Sequence, residues 1–314
     1  ALALFRKIKH PKSEADAIRG LGAVYQGLGD YPNAIEHYTQ AITIAREIGD
    51  KRSEGINLGN LGNVYQNLGD YPNAIEYHTQ ALNIAREIGD KRAEGIHLGN
   101  LDSVTIKLGD YPNAIEHTQQ AITIAREIGN KRGEGILLGN LGIIYNDLGD
   151  YPSAIEYYKQ ALNIAREIGN KRGEGVNLGN LGDLFLKQDQ IDEAGVALRE
   201  AITICDETFP LAAGAFRGSL ALLLARQGQL DEARDLLATG EPQVEAVPQE
   251  HAKFLCKKVQ VLHIAGEADR AAEALAQAQT IAGELNAEPE SELGQALEAL
   301  ATVLGVELEN YLSP

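Results

Sequence analysis

The sequence predicts an all-α fold, an α-solenoid of stacked antiparallel helix pairs, and three observations carry that expectation. The first is a repeat. Gly-Asp-Tyr-Pro stands at Gly29–Pro32, Gly69–Pro72, Gly109–Pro112 and Gly149–Pro152, each copy 40 residues beyond the last. A fixed period of this size marks units that bury their apolar faces only by stacking on their neighbours. The second is helical spacing within each half of the unit. In 51–90, Ile56, Leu58, Leu61, Val64, Tyr65 and Leu68 form one stripe, and Ala74, Ile75, Tyr77 or His78, Ala81, Leu82, Ile84, Ala85 and Ile88 form the next. The third is punctuation. Gly69 and Gly89 follow the last apolar residue of each stripe, as a left-handed helix stop requires. Asp70 stands where a helix cap is wanted, and Pro72 falls in the first turn, where a missing N–H costs little.

Taken in order, residues 1–10 open in the middle of a unit. Ala1–His10 aligns with Ala41–Asp50, so it reads as the second helix of a truncated preceding repeat. The chain also contains no Met, which predicts a piece cut from a longer protein or a chain whose first residues are missing. Residues 11–205 read as five regular 40-residue units, each an αα-hairpin with tight turns. Residues 206–288 read as two degenerate units, around Gln227–Leu237 and Ala265–Ala278. Residues 289–314 read as a closing helix, centred on Glu290–Leu304, and a tail. A polar terminal cap keeps a solenoid soluble.

Small residues fall at fixed places: Gly62 on the first helix, Ala74 and Ala81 on the second. Together Gly55, Gly59 and Gly62 would cost about 3 kcal/mol relative to alanine. Close helix approach must return that cost through packing.

With Leu61, Gly62, Tyr65, Ala74, His78 and Ala81 in one unit, the pattern resembles the tetratricopeptide repeat. The usual unit is about 34 residues, and the longer period here lengthens the helices. The segments "LGN", "AIEYH", "IAREIGD" and "EG" resemble the repeats of the Pins and LGN group and, less closely, kinesin light chain and bacterial tandem arrays. The match is strong over 15–201 and weakens afterwards. The resemblance implies a right-handed superhelix of seven or so helical pairs. It implies that first helices line a concave groove, and that the groove binds a protein or peptide. It implies no cofactor and no catalysis.

On those first helices Asn60, Asn100, Asn140 and Asn180 recur once per unit, with Asn63 nearly one turn further on. An amide offers two donors and an acceptor, so a row of them can grip a peptide backbone without reading its sequence. Gln66, Asn67, Asn146 and Asp147 extend the polar strip. The rival account is that these amides bond the neighbouring helix. The resemblance adds that asparagines at such positions contact peptides in related proteins. Relatives that clamp a terminal carboxylate use Lys or Arg here. This chain has Gly59, Gly99, Gly139 and Gly179, with only Arg19 basic, so no such clamp is expected.

Unit three departs from the pattern. Asp102 replaces the glycine, Thr105 a tyrosine, and Thr118 the aromatic-sized residue. A buried carboxylate needs a partner or water, so a small polar pocket, a softened hinge, or tolerated drift is expected. The Lys-Arg pairs at 51/52, 91/92, 131/132 and 171/172 read as solvated cations at a helix C-terminus.

The net charge of −17 argues against nucleic acid, whose phosphates need Lys and Arg. Residues 206–314 carry 7 basic and 18 acidic residues, the more acidic part. No apolar run reaches the ~20 residues of a membrane span, so no membrane is expected as partner. Cys205 and Cys256 lie in different contexts with no metal or redox spacing, which suits a reducing cytoplasm. The histidines show no ligand spacing, and no nucleophile–base pair or phosphate loop stands out. The expectation is a non-enzymatic interaction module that holds a peptide or helix of a partner. The alternatives are a sensor or autoinhibitory arm of a larger signalling enzyme, and end-to-end self-association through the truncated first repeat.

Overall fold

The computed structural model describes residues 10–287 and 291–304. The order of elements is regular: α1 Pro11–Gly27, α2 Tyr31–Glu47, α3 Lys51–Asn67, α4 Tyr71–Glu87, α5 Lys91–Lys107, α6 Tyr111–Glu127, α7 Lys131–Asp147, α8 Tyr151–Glu167 and α9 Lys171–Lys187. Then follow α10 Ile191–Thr208, α11 Pro210–Arg226, α12 Leu230–Val244, α13 Pro248–Ile264, α14 Ala268–Glu284 and α15 Glu292–Leu304. The described residues contain no strand. The expected helix over 1–10, its role in self-association, and the tail beyond 304 lie outside the described residues, apart from His10.

The turns explain the regularity. At the end of α1, Gly29 takes φ +76°, its N–H donates to the Gln26 carbonyl, and the Asp30 N–H donates to Tyr25. That double bond pattern closes a helix with a left-handed glycine. Asp30 then accepts the Asn33 N–H at 3.3 Å and opens α2. Asp50, Asp90, Asn130 and Asn170 cap the first helices of later units in the same way. Three-residue connections leave antiparallel packing as the only outcome for consecutive helices.

Two compact units divide the chain, residues 1–157 and 158–314. In the first, α1 pairs with α2, α3 with α4 and α5 with α6, and each pair packs on the next. The first helices α3 and α5 also touch. In the second, α9 pairs with α10, α11 with α12 and α13 with α14, and α15 packs on α13. Leu293, Leu297 and Leu300 of α15 are buried with Leu255, Val259 and Leu262 of α13 and the alanines of α14. Each unit is therefore a stack of helical hairpins, the all-α solenoid architecture.

The glycines mark close approach. A Cβ on Gly62 would lie 2.7 Å from the His78 ring, and one on Gly59 would lie 2.5 Å from the His97 ring. A Cβ on Gly179 would overlap the Phe216 ring at 2.0 Å. The helix-propensity cost is thus offset by rings packed on bare backbone.

A ladder of ion pairs, each with a buried carboxylate and a half-exposed arginine, crosses the repeats. Glu54, Glu94, Glu134 and Glu174 are buried. They pair with Arg46, Arg86, Arg126 and Arg166 of the preceding second helix at 2.7–3.0 Å. Burial raises the Glu54 carboxyl, but hydrogen bonds from Arg46 and Lys51 outweigh it and hold the group below the usual range. The Lys-Arg pairs are exposed, but they open a first helix rather than close a second one. Lys51 is the first residue of α3 and lies 3.2 Å from Glu54, and Arg52 lies 3.6 Å from Asp90 of the next unit.

Candidate protein-interaction surface

The first helices of the first unit carry a stripe that the packing leaves out. Ile56, Asn60, Asn63 and Asn67 follow one another at spacings of four, three and four along α3, which is one face of a helix. Ile56 lies about 200° around the helix from Leu58 at ~100° per residue. Leu58 is buried and Ile56 is 38% exposed. Its equivalents Ile96 and Ile136 are 53% and 55% exposed. Sequence reading grouped Ile56 with the packing residues, because both stripes are apolar. The angle between it and Leu58 was the signal that separates them.

The structure divides the asparagine row. Asn60 is half-buried and makes no side-chain hydrogen bond among the described residues. Asn100 donates from Nδ2 to Asn63 Oδ1 at 3.4 Å. Asn140 donates to Asp102 Oδ2 at 3.1 Å. Gln66 donates to Ser103 Oγ at 3.1 Å. Asn67 is exposed, at the end of α3. Asn146 is half-buried and donates to Asp147 at 3.1 Å. Asn180 lies on α9, in the second unit, half-buried. So Asn63, Gln66, Asn100 and Asn140 join neighbouring first helices, as the rival account held. Asn100 and Asn140 each still keep an amide hydrogen and a carbonyl oxygen, which is the capacity a ligand needs.

Unit three contains the pocket that its substitutions imply. Asp102, Thr105 and Thr118 are all buried. The Thr118 hydroxyl lies 2.6 Å from Asp102 Oδ1 and 2.8 Å from the Ala114 carbonyl. Thr105 bonds the Leu101 carbonyl at 2.9 Å. Burial raises the Asp102 carboxyl above its ordinary range, against the bonds from Thr118 and Asn140. In units two and four the corresponding tyrosines stack, Tyr65 on Tyr77 at 5.3 Å and Tyr145 on Tyr157 at 5.2 Å.

Sequence reading placed His78 in the packing stripe and gave the other histidines no role. His78 and His97 are buried, with ring centroids 6.3 Å apart. Neither ring nitrogen of His78 has a hydrogen-bond partner among the described residues. Burial pushes His78 down to about 4, with His97 adding to the effect. Among the described residues no group of three or more His, Cys, Asp or Glu could hold a metal ion. No helix there is long and apolar enough to cross a membrane. Cys205 and Cys256 are buried free thiols, pushed by burial to about 11 and about 12.

Repeated helical hairpins with a polar and aliphatic first-helix face define a protein-interaction module. Residues 13–87, 53–127, 94–167 and 134–207 match the family model described as tetratricopeptide repeat. That range spans more than half of the 314 residues, and the chain belongs to the tetratricopeptide repeat family. A comparison with curated proteins gives no match. Among solved structures, a signal transduction ATPase with a tetratricopeptide repeat sensor from Pyrococcus horikoshii is similar, with TM-score 0.69 and 22% identity. It covers 80% of this chain and 39% of that one. A Rap protein complexed with competence and sporulation factor gives TM-score 0.64 and 20% identity, over 85% of this chain and 74% of that one. A putative kinesin light chain from Podosopora anserina gives TM-score 0.54 and 19% identity, over 64% of this chain and 98% of that one. At these identities the likeness is one of fold.

Proposed function

We propose that this chain is a non-enzymatic module that binds a peptide segment of a partner protein along the first-helix face of α3, α5 and α7. The observation that carries the reading is the row of half-buried amides, Asn60, Asn100 and Asn140, with hydrogen-bonding capacity left over after the helices are joined. The Rap neighbour, described as complexed with competence and sporulation factor, supports the use of this fold to hold a partner.

A screen of immobilised extended and helical peptides tests this. Binders should lose about ten-fold or more in affinity when Asn60, Asn100 and Asn140 are cut to Ala together, on the scale of 1–3 kcal/mol for unsatisfied polar partners. Undiminished affinity removes the asparagine row from the site.

A second reading draws on the Pyrococcus horikoshii neighbour, whose description places such repeats in the sensor of a signalling ATPase. On that reading the same face is held in cis by another part of a longer protein. An open reading frame that ends at the repeats, with no enzymatic domain, refutes it.

A further inference from the structure

We infer that the segment held on this face carries acidic side chains beside aliphatic ones, and that Arg92 and Arg132 receive its carboxylates. This rests on the reading of the first-helix face as a peptide site, and goes beyond it to the chemistry of the ligand and the residues that read it.

The face has the opposite sign to the chain. The stripe through Ile56 and Asn60 begins one turn earlier, at exposed Arg52, and its equivalents on α5 and α7 begin at exposed Arg92 and Arg132. Exposed Lys107 ends the stripe on α5, and Asp147 ends it on α7. These cations outnumber the one carboxylate, in a chain whose net charge is −17. The buried acids nearby are already engaged, Glu94 by Arg86 and Lys91 at 3.0 Å, and Asp102 by Thr118 and Asn140. A cationic stripe on an acidic molecule draws an acidic segment to this face and away from the others.

The helix caps decide which cations are free. Lys12 lies 3.2 Å from Asp50, and Arg52 lies 3.6 Å from Asp90, in each case the cap of the next first helix. The cap that follows Arg92 is Asn130, and the one that follows Arg132 is Asn170. Asparagine caps a helix as well as aspartate does, but brings no charge. Among the described residues Arg92 and Arg132 have no ion-pair partner. A guanidinium without a carboxylate of its own can take one from a ligand through two parallel N–H bonds.

One turn after each free arginine stands an exposed isoleucine, Ile96 or Ile136, and one turn further a half-buried amide, Asn100 or Asn140. Four residues of α-helix rise about 6 Å. Cation, aliphatic group and amide are therefore within reach of neighbouring residues of one peptide. A nucleic acid would also meet the cations, but the stripe positions hold no aromatic ring on which a base could stack.

Fluorescence anisotropy with labelled probes tests the inference on the intact chain. Three peptides repeat Leu-Glu-Ser, Leu-Gln-Ser and Leu-Lys-Ser, and the fourth probe is single-stranded oligothymidine. Leu-Glu-Ser should bind tightest, and its lead should shrink in high salt. Arg92→Gln/Arg132→Gln should weaken it by about ten-fold, a few-fold for each exposed pair lost, and leave Leu-Gln-Ser unchanged. Asn130→Asp should weaken Leu-Glu-Ser by about three-fold, because the new carboxylate engages Arg92 as Asp90 engages Arg52. That variant keeps a cap of the kind Asp90 already provides, and circular dichroism melts establish that both variants remain folded. Equal or tighter binding of Leu-Gln-Ser or Leu-Lys-Ser, lost when Asn60, Asn100 and Asn140 are cut to Ala, overturns the acidic assignment and leaves the peptide-site reading standing. Tighter binding of the oligonucleotide, or binding of Leu-Glu-Ser that neither the arginine nor the asparagine variants affect, overturns both, as does binding of none.

Discussion

Asp102→Asn should stabilise the protein at neutral pH, and the stabilisation should vanish in acid. Asp102 is fully buried. The Thr118 hydroxyl has one hydrogen and two acceptors within reach, Asp102 Oδ1 at 2.6 Å and the Ala114 carbonyl at 2.8 Å. If Asp102 is ionised, the two oxygens compete. If it is neutral, its O–H donates to Thr118, Thr118 donates to Ala114, and Asn140 donates to Oδ2 at 3.1 Å. Every group is then satisfied. Asparagine reproduces that arrangement, with an N–H in place of the carboxyl O–H and no charge to bury. Burial raises the folded-state pKa of Asp102, so the wild-type contribution is favourable below the unfolded value and is lost as pH rises through the folded one. The gain from Asp102→Asn at pH 7 is on the order of 1–3 kcal/mol, the measured cost of a badly compensated buried polar group. Urea unfolding followed by circular dichroism at several pH values reads the difference between the two proteins, in which the histidines cancel. Thr118→Val should act the other way at pH 7, by about 1–3 kcal/mol, because the buried Asp102 carboxyl loses its hydroxyl partner at Oδ1. A loss of stability in Asp102→Asn at pH 7 that shrinks in acid would refute the reasoning, since it would mean that the carboxylate is native and well paired.

Four other outcomes follow from the same structure. His78 is held near 4 in the folded chain, while the unfolded value is about 6.5. The unfolded state therefore binds the proton first, and stability falls as pH drops from the unfolded value towards the folded one, by up to about 3 kcal/mol in urea unfolding. His78→Tyr should remove that loss and place a hydroxyl near Gln66, as Tyr38 donates to Gln26 at 2.9 Å in the first unit. Gly62→Ala should destabilise by about 1–3 kcal/mol, because its Cβ meets the His78 ring. Gly99→Ala has nothing within 4 Å and should stabilise by roughly 0.5–1 kcal/mol; thermal melts separate the pair. Arg46→Ala should cost about 1 kcal/mol by urea unfolding, with a smaller effect in high salt, because Glu54 keeps Lys51 at 3.2 Å.

The fold was legible because the repeat states it several times over. Gly29 and its equivalents require the left-handed turn, Asp30 and its equivalents cap, and the apolar stripes have the helical period. Each local preference agrees with the stacked architecture. The surface was harder to read. Asn60, Asn100 and Asn140 share one sequence position, yet their partners differ because residues 37 or 38 earlier differ: Asn63 and Asp102 accept, while Ala23 on α1 offers no polar side chain. That is a tertiary fact which periodicity does not contain. Ile56 read as core because hydrophobicity alone does not separate a packing stripe from an exposed one. The inter-repeat ladder was missed for a related reason. Glu54 and Arg46 lie on different helices, and only stacking shows that the carboxylate is buried between repeats. Asp102 was recognised as a group in need of partners, and Thr118, itself one of the substitutions of unit three, supplies one of them.

The most direct test of peptide binding on the first-helix face is photo-cross-linking of a bound peptide, followed by mass spectrometry of the modified residues. Any binder from the peptide screen can carry the photoreactive group. Adducts on α3, α5 and α7, clustered around Ile56, Ile96 and Ile136, are the predicted result. Adducts confined to the outer faces of α4 and α6, around Gln80 and Gln120, would contradict the assignment.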